Sequence, residues 1–454
     1  MKKLLSLLVL VTTITQAQYT IKGTMSPLYK SNWVILYKIE GARQVFISNT
    51  NSKKDTIFIH GKKQEVAKFQ FQLPKNAKSG SYRVTYNTEE AGFVDFLFNK
   101  ENIEFSFNPT YPEQSIEYSI SRENKLYKEY LQAINLTQHT LDSIQIIALQ
   151  KPKITQTTSY KQALARVNDV QQIYLNKSKG MMVNHFIKAT LRKNAPTIIL
   201  SMQDYLTSIV KNFFLNMNFN DSVLYNSSFL VDRITDYIFY LNYSKDSTLQ
   251  QKLYKESVEK VMNIVEKPAF KKDVIEFLVT QFEARKNVDM VDELFTKYYD
   301  KLPKTLQNKK FKEEKLQLLA AEVGRIAPDF SWEEGKKFYK LSTLNDANNY
   351  VLVFWSTECS HCLKEIPQLY KFMKDKKNTK VIAFALEKNI YSWNNYILKL
   401  KGWHNVLGLN KWQNKTAKNY QVYSTPNYFI LNKNKKIITK PTLLKDVKKF
   451  FKKK

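Results

Sequence analysis

Two cysteines three positions apart constrain this chain more than any other feature of its sequence. Cys359 and Cys362 are the only cysteines among the 454 residues, and they stand between the apolar run NYVLVFW and the sequence LKEIPQLYKFM. A disulfide between them would close too small a loop to add much stability to a fold. The spacing therefore favours reversible sulfur chemistry over a structural bridge.

A zinc site is the other common use of a C-x-x-C spacing. Such a site needs about four ligands. The chain offers no second cysteine pair and has only five histidines, which are His60, His139, His185, His361 and His404. We therefore predict that the two cysteines bind no metal.

The first 18 residues, MKKLLSLLVLVTTITQAQ, have the three parts of a secretory signal peptide. Two lysines precede an apolar centre from Leu4 to Val11, and small residues at Thr15 and Ala17 form a cleavage site. We expect cleavage after Ala17 or Gln18; an uncleaved anchor or a buried helix is the alternative. No other stretch reaches the ~18 apolar residues of a transmembrane helix. The mature protein is therefore expected in a bacterial periplasm.

The chain is strongly basic, with a formal charge of +30. Without the two lysines of the expected signal peptide, 69 basic side chains face 41 acidic ones. Such a charge can attract nucleic acid, anionic membranes or acidic partners. The lysines are dispersed along the whole chain, however, and export separates the protein from nucleic acid. We therefore predict a solvated basic surface and no nucleic-acid partner.

The sequence from residue 19 to residue 322 divides into two regions. Residues 19–112 contain short runs rich in β-branched and aromatic residues, such as AKFQFQL, and predict an all-β antiparallel sandwich or barrel. Residues 113–322 have helical spacing instead, as at Leu126, Tyr130 and Ile134, and predict a helical middle domain whose aromatic stripes pack in its core. We expect these two regions to fold separately.

Residues 323–454 predict a third, α/β domain. The buried strand NYVLVFW is followed by a helix, then by the buried strand KVIAFALE, a second helix, and the hairpin NYFILNKNKKIIT. This order is the thioredoxin-like arrangement. The fold class is therefore multidomain: a β-rich N-terminal domain, a helical middle domain and a C-terminal thioredoxin-like domain.

The strand before the cysteines places Cys359 at the N-terminus of the following helix. Free N–H groups and the helix dipole stabilise a thiolate there, and the pKa of a cysteine falls below its usual ~8.5. We predict that Cys359 is the nucleophile. Cys362, one turn later and more shielded, would attack the mixed disulfide and release the partner.

A proline supplies a second indication. In VYSTPNYFIL, Pro426 follows Thr425 and precedes a strand. We predict a cis Thr425–Pro426 bond beside the dithiol, which exposes the main chain of Thr425 to a bound peptide; an ordinary trans proline at a strand entry is the alternative.

The motifs IAPDF, VLVFW, CSHCLKEIP and STPNYFILN together resemble the exported thioredoxin-like proteins of the TlpA/ResA group. The resemblance covers residues 323–454 and includes the pattern C-x-x-C-x-x-E-x-P. It implies exchange with protein thiols and disulfides, no bound cofactor, and an upstream membrane thiol reductant. Among the matched residues, Trp355 and Glu365 are candidates for tuning the dithiol. Residues 19–112 more weakly resemble a β-rich domain often fused to such proteins, which implies no chemistry.

One position departs from the group. Glu358 stands where the group usually has tryptophan, and its negative charge should oppose a thiolate at Cys359. Between the cysteines, Ser360 and His361 set the redox poise, and a protonated His361 would favour the thiolate and an oxidising couple. We favour a reductase over an oxidase, because the resemblance rests on more residues.

Two other functions stay open. The broader fold includes peroxidases with a P-x-x-x-T-x-x-C motif, and no proline or threonine occupies those offsets before Cys359 or Cys362. Alternatively, the protein is a binding or scaffold protein in which the dithiol is secondary. Peroxide turnover would support the first, and an unchanged phenotype without both cysteines would support the second.

Overall fold

The computed structural model describes residues 19–59, 61–88, 92–151 and 156–452. The expected signal peptide, residues 1–18, lies outside the described residues. The chain divides into two compact units, of which the first ends at Val274 and the second begins at Ile275. Within the described ranges, no helix is long and apolar enough to cross a membrane.

Among its described residues, the first unit begins with nine strands in two open sheets. The sheet orders are β4-β5-β1-β8-β9 and β3-β2-β6-β7. The two sheets share one apolar core with many aromatic rings, and this arrangement confirms a sandwich rather than a closed barrel. The strands are β1 (Tyr19–Met25), β2 (Trp33–Glu40), β3 (Arg43–Asn51), β4 (Lys53–Ile59), β5 (Lys62–Leu73), β6 (Gly80–Asn87), β7 (Gly92–Phe98), β8 (Ile103–Phe107) and β9 (Glu117–Ile120).

Two details of the β-rich region differ from the sequence prediction. The expected antiparallel pattern is wrong for one pair, since β1 runs parallel to β8. The region also continues beyond residue 112, because β9 pairs antiparallel with β8. A four-residue strand is too short to give a clear period in the sequence.

Helices make up the rest of the first unit and confirm the helical middle region. They are α1 (Pro112–Ser115), α2 (Arg122–Gln150), α3 (Thr157–Lys177), α4 (Val183–Thr190), α5 (Met202–Asn212), α6 (Ser222–Tyr225), α7 (Phe229–Thr235) and α8 (Ser247–Ile264); α9 (Pro268–Ala284) contains the boundary between the units. In α2, Tyr130 and Ile134 are buried, as their helical spacing predicts.

Buried polar side chains join the strands of the first unit to its helices. Asn124 in α2 is 4% exposed, accepts from the N–H of Leu97 in β7 at 2.8 Å and donates to its carbonyl at 2.7 Å. Next to it, buried Glu123 accepts from the N–H groups of Met182 and Val183 at 3.0 and 2.8 Å. The β-rich and helical regions therefore belong to one compact unit.

Among its described residues, the second unit contains six helices after α9, a hairpin and a five-stranded sheet. Its elements are α10 (Val288–Glu293), α11 (Lys309–Leu318), β10 (Ser331–Glu334), β11 (Lys337–Lys340), β12 (Asn349–Trp355), α12 (Ser360–Met373), β13 (Thr379–Glu387), α13 (Tyr391–Ile397), β14 (His404–Leu409), α14 (Lys415–Asn419), β15 (Asn427–Asn432), β16 (Ile437–Thr439) and α15 (Leu444–Lys452). The sheet order is β14-β13-β12-β15-β16.

The central strands of this sheet are parallel. β12 runs parallel to β13, β13 runs parallel to β14, and β15 is antiparallel to β12. The carboxyl ends of β12, β13 and β14 therefore lie at one edge. Alternate residues of β12 are buried in two cores, with Val353 and Trp355 on the face that also contains Cys362. This order of elements confirms the predicted thioredoxin-like domain.

Strand β14 was not predicted from the sequence. It lies at the edge of the sheet and contains Gly408, where a Cβ atom would lie 2.2 Å from the ring of Phe384. A glycine inside a strand weakens the sequence signal, although here it permits the close approach of a neighbouring ring.

Candidate active site

Cys359 is the N-cap residue of α12, in the position predicted from the sequence. Its side chain accepts a hydrogen bond from the N–H of Cys362, with 3.2 Å between Sγ and N. The N–H of Leu363 donates to the Cys359 carbonyl at 3.0 Å. The sulfur of Cys359 therefore occupies the place of a capping oxygen, where the unpaired N–H groups of a first helical turn favour negative charge.

The loop before β15 lies against the same sulfur. The thiol of Cys359 donates to the main-chain carbonyl of Thr425, at 3.3 Å between Sγ and O. The Thr425–Pro426 peptide bond is cis. Two sequence motifs 66 residues apart are thus in direct contact.

The two thiols differ in exposure and in acidity. Both are free, with Cys359 partly exposed and Cys362 buried. Burial alone would raise the pKa of Cys359, but side-chain hydrogen bonds with Cys362 and Thr425 and backbone bonds from Cys362 and His361 outweigh it and hold that pKa below its ordinary value. Burial raises the pKa of Cys362 to about 12, and its hydrogen bond to Cys359 acts in the same direction. One thiol is therefore activated while the other stays protonated at neutral pH.

Glu358 has counter-charges that the sequence did not reveal. Its carboxylate forms a salt bridge with Lys411, from the loop after β14, and lies 3.8 Å from the ammonium of Lys388, from the loop after β13. The bond to Lys411 lowers the pKa of Glu358. The negative charge next to Cys359 is therefore compensated.

The backbone also contributes to this contact. Asn410 and Lys411 both lie in the left-handed region, with φ of 68° and 45°. Residues other than glycine rarely adopt that conformation, and two in succession indicate that the surrounding structure determines it.

Ser360 and His361 lie in the first turn of α12, and both are exposed. Within the described part of the chain, neither side chain forms a hydrogen bond. Both residues therefore lie next to the dithiol, but their side chains make no specific contact with it.

Trp355 and Glu365 contact the site from its buried side. Trp355 is fully buried in the same core as Cys362, and its ring centroid lies 5.0 Å from that of Tyr396. Glu365 accepts from the hydroxyl of Tyr428 at 2.7 Å. Burial raises the pKa of Tyr428 well above its ordinary range, and the bond to Glu365 acts in the same direction. Tyr428 therefore remains a hydrogen-bond donor throughout the neutral range.

Sequence reasoning missed one residue that contacts the loop in front of Cys359. Glu387, the last residue of β13, is 2% exposed. It accepts from the N–H of Thr357 at 2.6 Å and from the hydroxyl of Ser356 at 3.3 Å. An acid that ends the apolar run KVIAFAL was the available signal, because the carboxyl ends of parallel strands meet at one edge of a sheet.

Part of the chain matches a known protein family. Residues 323–440 match the AhpC/TSA family. This matched segment is part of the thioredoxin-like region of the second unit. It contains both cysteines, Glu387 and the Thr425–Pro426 bond, and it has the thioredoxin-like sheet described above.

Several solved bacterial structures are similar to this chain. A domain of a possible thiol-disulfide isomerase from Cytophaga hutchinsonii is 29% identical, covers 29% of this chain and 91% of its own, and has a TM-score of 0.26. The thioredoxin domain of a thiol-disulfide oxidoreductase from Bacteroides vulgatus is 23% identical over 29% and 96%, with a TM-score of 0.26. A thioredoxin-like protein from Bacteroides caccae is 18% identical over 57% and 96%, with a TM-score of 0.25. No curated protein matches the chain.

Proposed function

We propose that this protein is a thiol–disulfide oxidoreductase that exchanges its Cys359–Cys362 pair with disulfides of partner proteins, and that it acts as a reductase. The observation on which this rests is the pair of unequal thiols at the start of α12. Cys359 has a lowered pKa and partial exposure, and Cys362 has a raised pKa and is buried. A thiolate is the attacking species in exchange, so this asymmetry assigns the two roles.

The reaction has two steps. The Cys359 thiolate attacks one sulfur of the partner disulfide, a new bond forms, and the other partner sulfur leaves as a thiolate and takes up a proton. Cys362 then loses its proton and attacks the Cys359 sulfur, and the partner's remaining thiol is released. The partner gains two electrons and two protons, and the Cys359–Cys362 disulfide must then be reduced by an upstream thiol donor at the membrane.

Partner binding would use the main chain of Thr425. Its carbonyl lies at hydrogen-bond distance from the Cys359 sulfur, so a peptide segment adjacent to the reacting disulfide would lie along the loop that contains Pro426. Main-chain bonds of this kind do not depend on the side chains of the partner, and they suit exchange with several proteins.

The reducing direction rests on the resemblance of the site motifs to the TlpA/ResA group. A couple becomes oxidising when its reduced form is stabilised. The lowered pKa of Cys359 acts in that direction, but the buried Cys362, whose pKa is raised to about 12, gains no such stabilisation as a thiolate. We therefore propose reduction of partner disulfides in the periplasm after removal of a signal peptide near residues 17–18, with residues 323–454 as the exchange domain and Ser360, His361, Trp355 and Glu365 as tuning residues.

Reduction of a model protein disulfide by the reduced protein tests this function. We expect turnover with a chemical thiol donor, and no turnover when both cysteines are replaced by serine. The family match also makes a peroxidase the second candidate, because the family description includes AhpC. Consumption of hydrogen peroxide without disulfide reduction would favour the peroxidase. An unchanged phenotype on removal of both cysteines would favour a binding protein with an incidental dithiol.

A further inference from the structure

Glu387 is a buried acid next to the proposed nucleophile. It is 2% exposed, and among the described residues no lysine, arginine or histidine forms a salt bridge with it. Burying a carboxylate without a counter-charge costs free energy unless hydrogen bonds compensate it. The donors that compensate Glu387 are both in the loop between β12 and α12.

Those donors belong to one hydrogen-bonded turn. Glu387 accepts from the N–H of Thr357 and the hydroxyl of Ser356, and Ser356 is itself 6% exposed. The Ser356 hydroxyl oxygen accepts from the N–H of Glu358 at 3.2 Å, and the Ser356 carbonyl accepts from the N–H of Cys359 at 3.2 Å. Every backbone N–H from Thr357 to Cys359 is therefore bonded either to Glu387 or to the serine that Glu387 contacts.

We propose that Glu387 is a positioning residue that holds the loop from Ser356 to Glu358 in the conformation that presents the Cys359 sulfur to the first turn of α12. This inference rests on the proposed exchange function and extends it to a residue of the neighbouring strand. The sulfur is stabilised through the N–H of Cys362 at 3.2 Å, a contact that depends on where the loop ends. A displacement of about 1 Å at a reacting group can cost as much as about 100-fold in rate.

Two substitutions separate the hydrogen bond of Glu387 from its charge. Glu387→Gln and Glu387→Ala both remove the charge, but the amide oxygen of glutamine can still accept from Thr357. The difference between the two variants therefore measures the loss of the side chain with its acceptor at a constant charge. We expect the glutamine variant to keep at least about half of the wild-type rate of Cys359 alkylation by iodoacetamide at pH 7, and the alanine variant to react about tenfold more slowly than the glutamine variant.

The pH profile of alkylation distinguishes positioning from a general loss of stability. The other titratable groups of this site are unchanged in both variants: Cys362, Glu358, His361 and Glu365 in α12 and the loop before it, and Lys388 and Lys411, which pair with Glu358. If the loop positions Cys359, the midpoint of the profile will be higher in Glu387→Ala than in Glu387→Gln. Mass spectrometry of the adduct assigns the reaction to Cys359.

A matched control exists in the same unit. Asp329 also accepts from a backbone N–H and a serine hydroxyl, those of Ser342 at 2.9 and 2.7 Å. Asp329→Ala should lower the melting temperature without changing the alkylation of Cys359. If Glu387→Ala does not fold, Ser356→Ala removes one branch of the same turn and should slow alkylation by about threefold.

Equal alkylation rates and midpoints in folded Glu387→Ala and Glu387→Gln would overturn the inference, as would an equal slowing in Asp329→Ala. If Glu387→Ala does not fold, a wild-type alkylation rate in Ser356→Ala would overturn the inference. Alkylation needs no partner, so this result is independent of disulfide reduction. If wild-type protein is alkylated at Cys359 but reduces no disulfide, the proposed function fails and the positioning by Glu387 is judged from alkylation alone.

Discussion

The two large β structures of this protein differ in how they use their strand ends. In the first unit, the strand pairs of two open sheets are antiparallel except for one, and the aromatic rings of both sheets lie in a shared core. In the second unit, three parallel strands end at one edge, and the loops after them contain Cys359, Lys388 and Lys411. Parallel strands bring residues that are distant in sequence to one place, which is where α/β proteins form their sites.

The buried polar residues show the same difference. In the first unit, Asn124 and Glu123 connect strands to helices through backbone groups. In the second, Glu387 bonds the loop that precedes the nucleophile. In both units, buried side chains bond backbone groups, but only in the second do those groups lie directly before the proposed nucleophile.

The largest expected effects come from the two cysteines. Cys359→Ser and Cys362→Ser should each abolish disulfide reduction, because each step needs one of the sulfurs. Cys362→Ser alone should accumulate mixed disulfides with partner proteins, since it can attack but cannot resolve. Non-reducing electrophoresis of the two variants checks this. If Cys359→Ser traps partners equally well, the assigned roles are reversed or shared.

The pH dependence of alkylation should separate the same two thiols. Alkylation follows the thiolate, and hydrogen bonds to the sulfur hold the pKa of Cys359 below its ordinary value. The rate at Cys359 should therefore rise with pH to a midpoint below that of an ordinary cysteine and then level off. Cys362, with its pKa near 12, should stay unmodified in the native protein up to strongly alkaline pH. Modification of Cys362 at neutral pH would contradict the difference in burial.

In the first unit, Asn124→Ala tests the structural role of buried polar groups. It leaves both backbone groups of Leu97 without their side-chain partner, and each unsatisfied buried group costs about 1–3 kcal/mol. The free energy of unfolding should fall by that order, while Cys359 alkylation stays unchanged. Asn212→Ala is the control, and we expect it to have little effect. Asn212 is half-buried in α5, and its side chain forms one long hydrogen bond of 3.4 Å. A change in alkylation would mean that the chemistry of the second unit depends on the first.

The smallest expected effect concerns the charge beside the nucleophile. Lys411→Met leaves Glu358 less compensated and should raise the midpoint of Cys359 alkylation, slowing it about two- to fivefold at pH 7 and low salt. Glu358→Gln should accelerate it slightly, and the double variant should resemble wild type. High salt should reduce all of these differences. A double variant as slow as Lys411→Met would show that Lys411 acts through something other than Glu358.

Sequence patterns predicted the features that depend on local order. The continuous apolar run before Cys359 predicted a central strand, helical spacing after it predicted α12, and the N-terminal position of Cys359 followed from both. The alternation around Phe69 and Phe71 likewise predicted a half-buried strand, and both rings are in the core. These patterns arise because the buried residues of a single helix or strand recur at a fixed spacing, and that spacing is visible in the sequence.

Other features depend on contacts between distant segments and could not be predicted in this way. Glu358 and Lys411 are 53 residues apart, so the compensation of the charge next to Cys359 has no local signature. The bond from Thr357 to Glu387 spans 30 residues and needs the parallel register of β12 and β13. The edge strand β14 contains a glycine and the strand β9 has four residues, so neither has a clear period.

The redox potential of the Cys359–Cys362 pair tests the central claim most directly. The protein is equilibrated at pH 7 with buffers of reduced and oxidised dithiothreitol or glutathione, and the fraction of intramolecular disulfide is measured by mass after alkylation. A reductase with a protonated, buried second thiol should have a potential near that of thioredoxin, about −270 mV. A potential near the −120 mV or so of a strong oxidant such as DsbA, or no intramolecular disulfide at any ratio, would contradict the account.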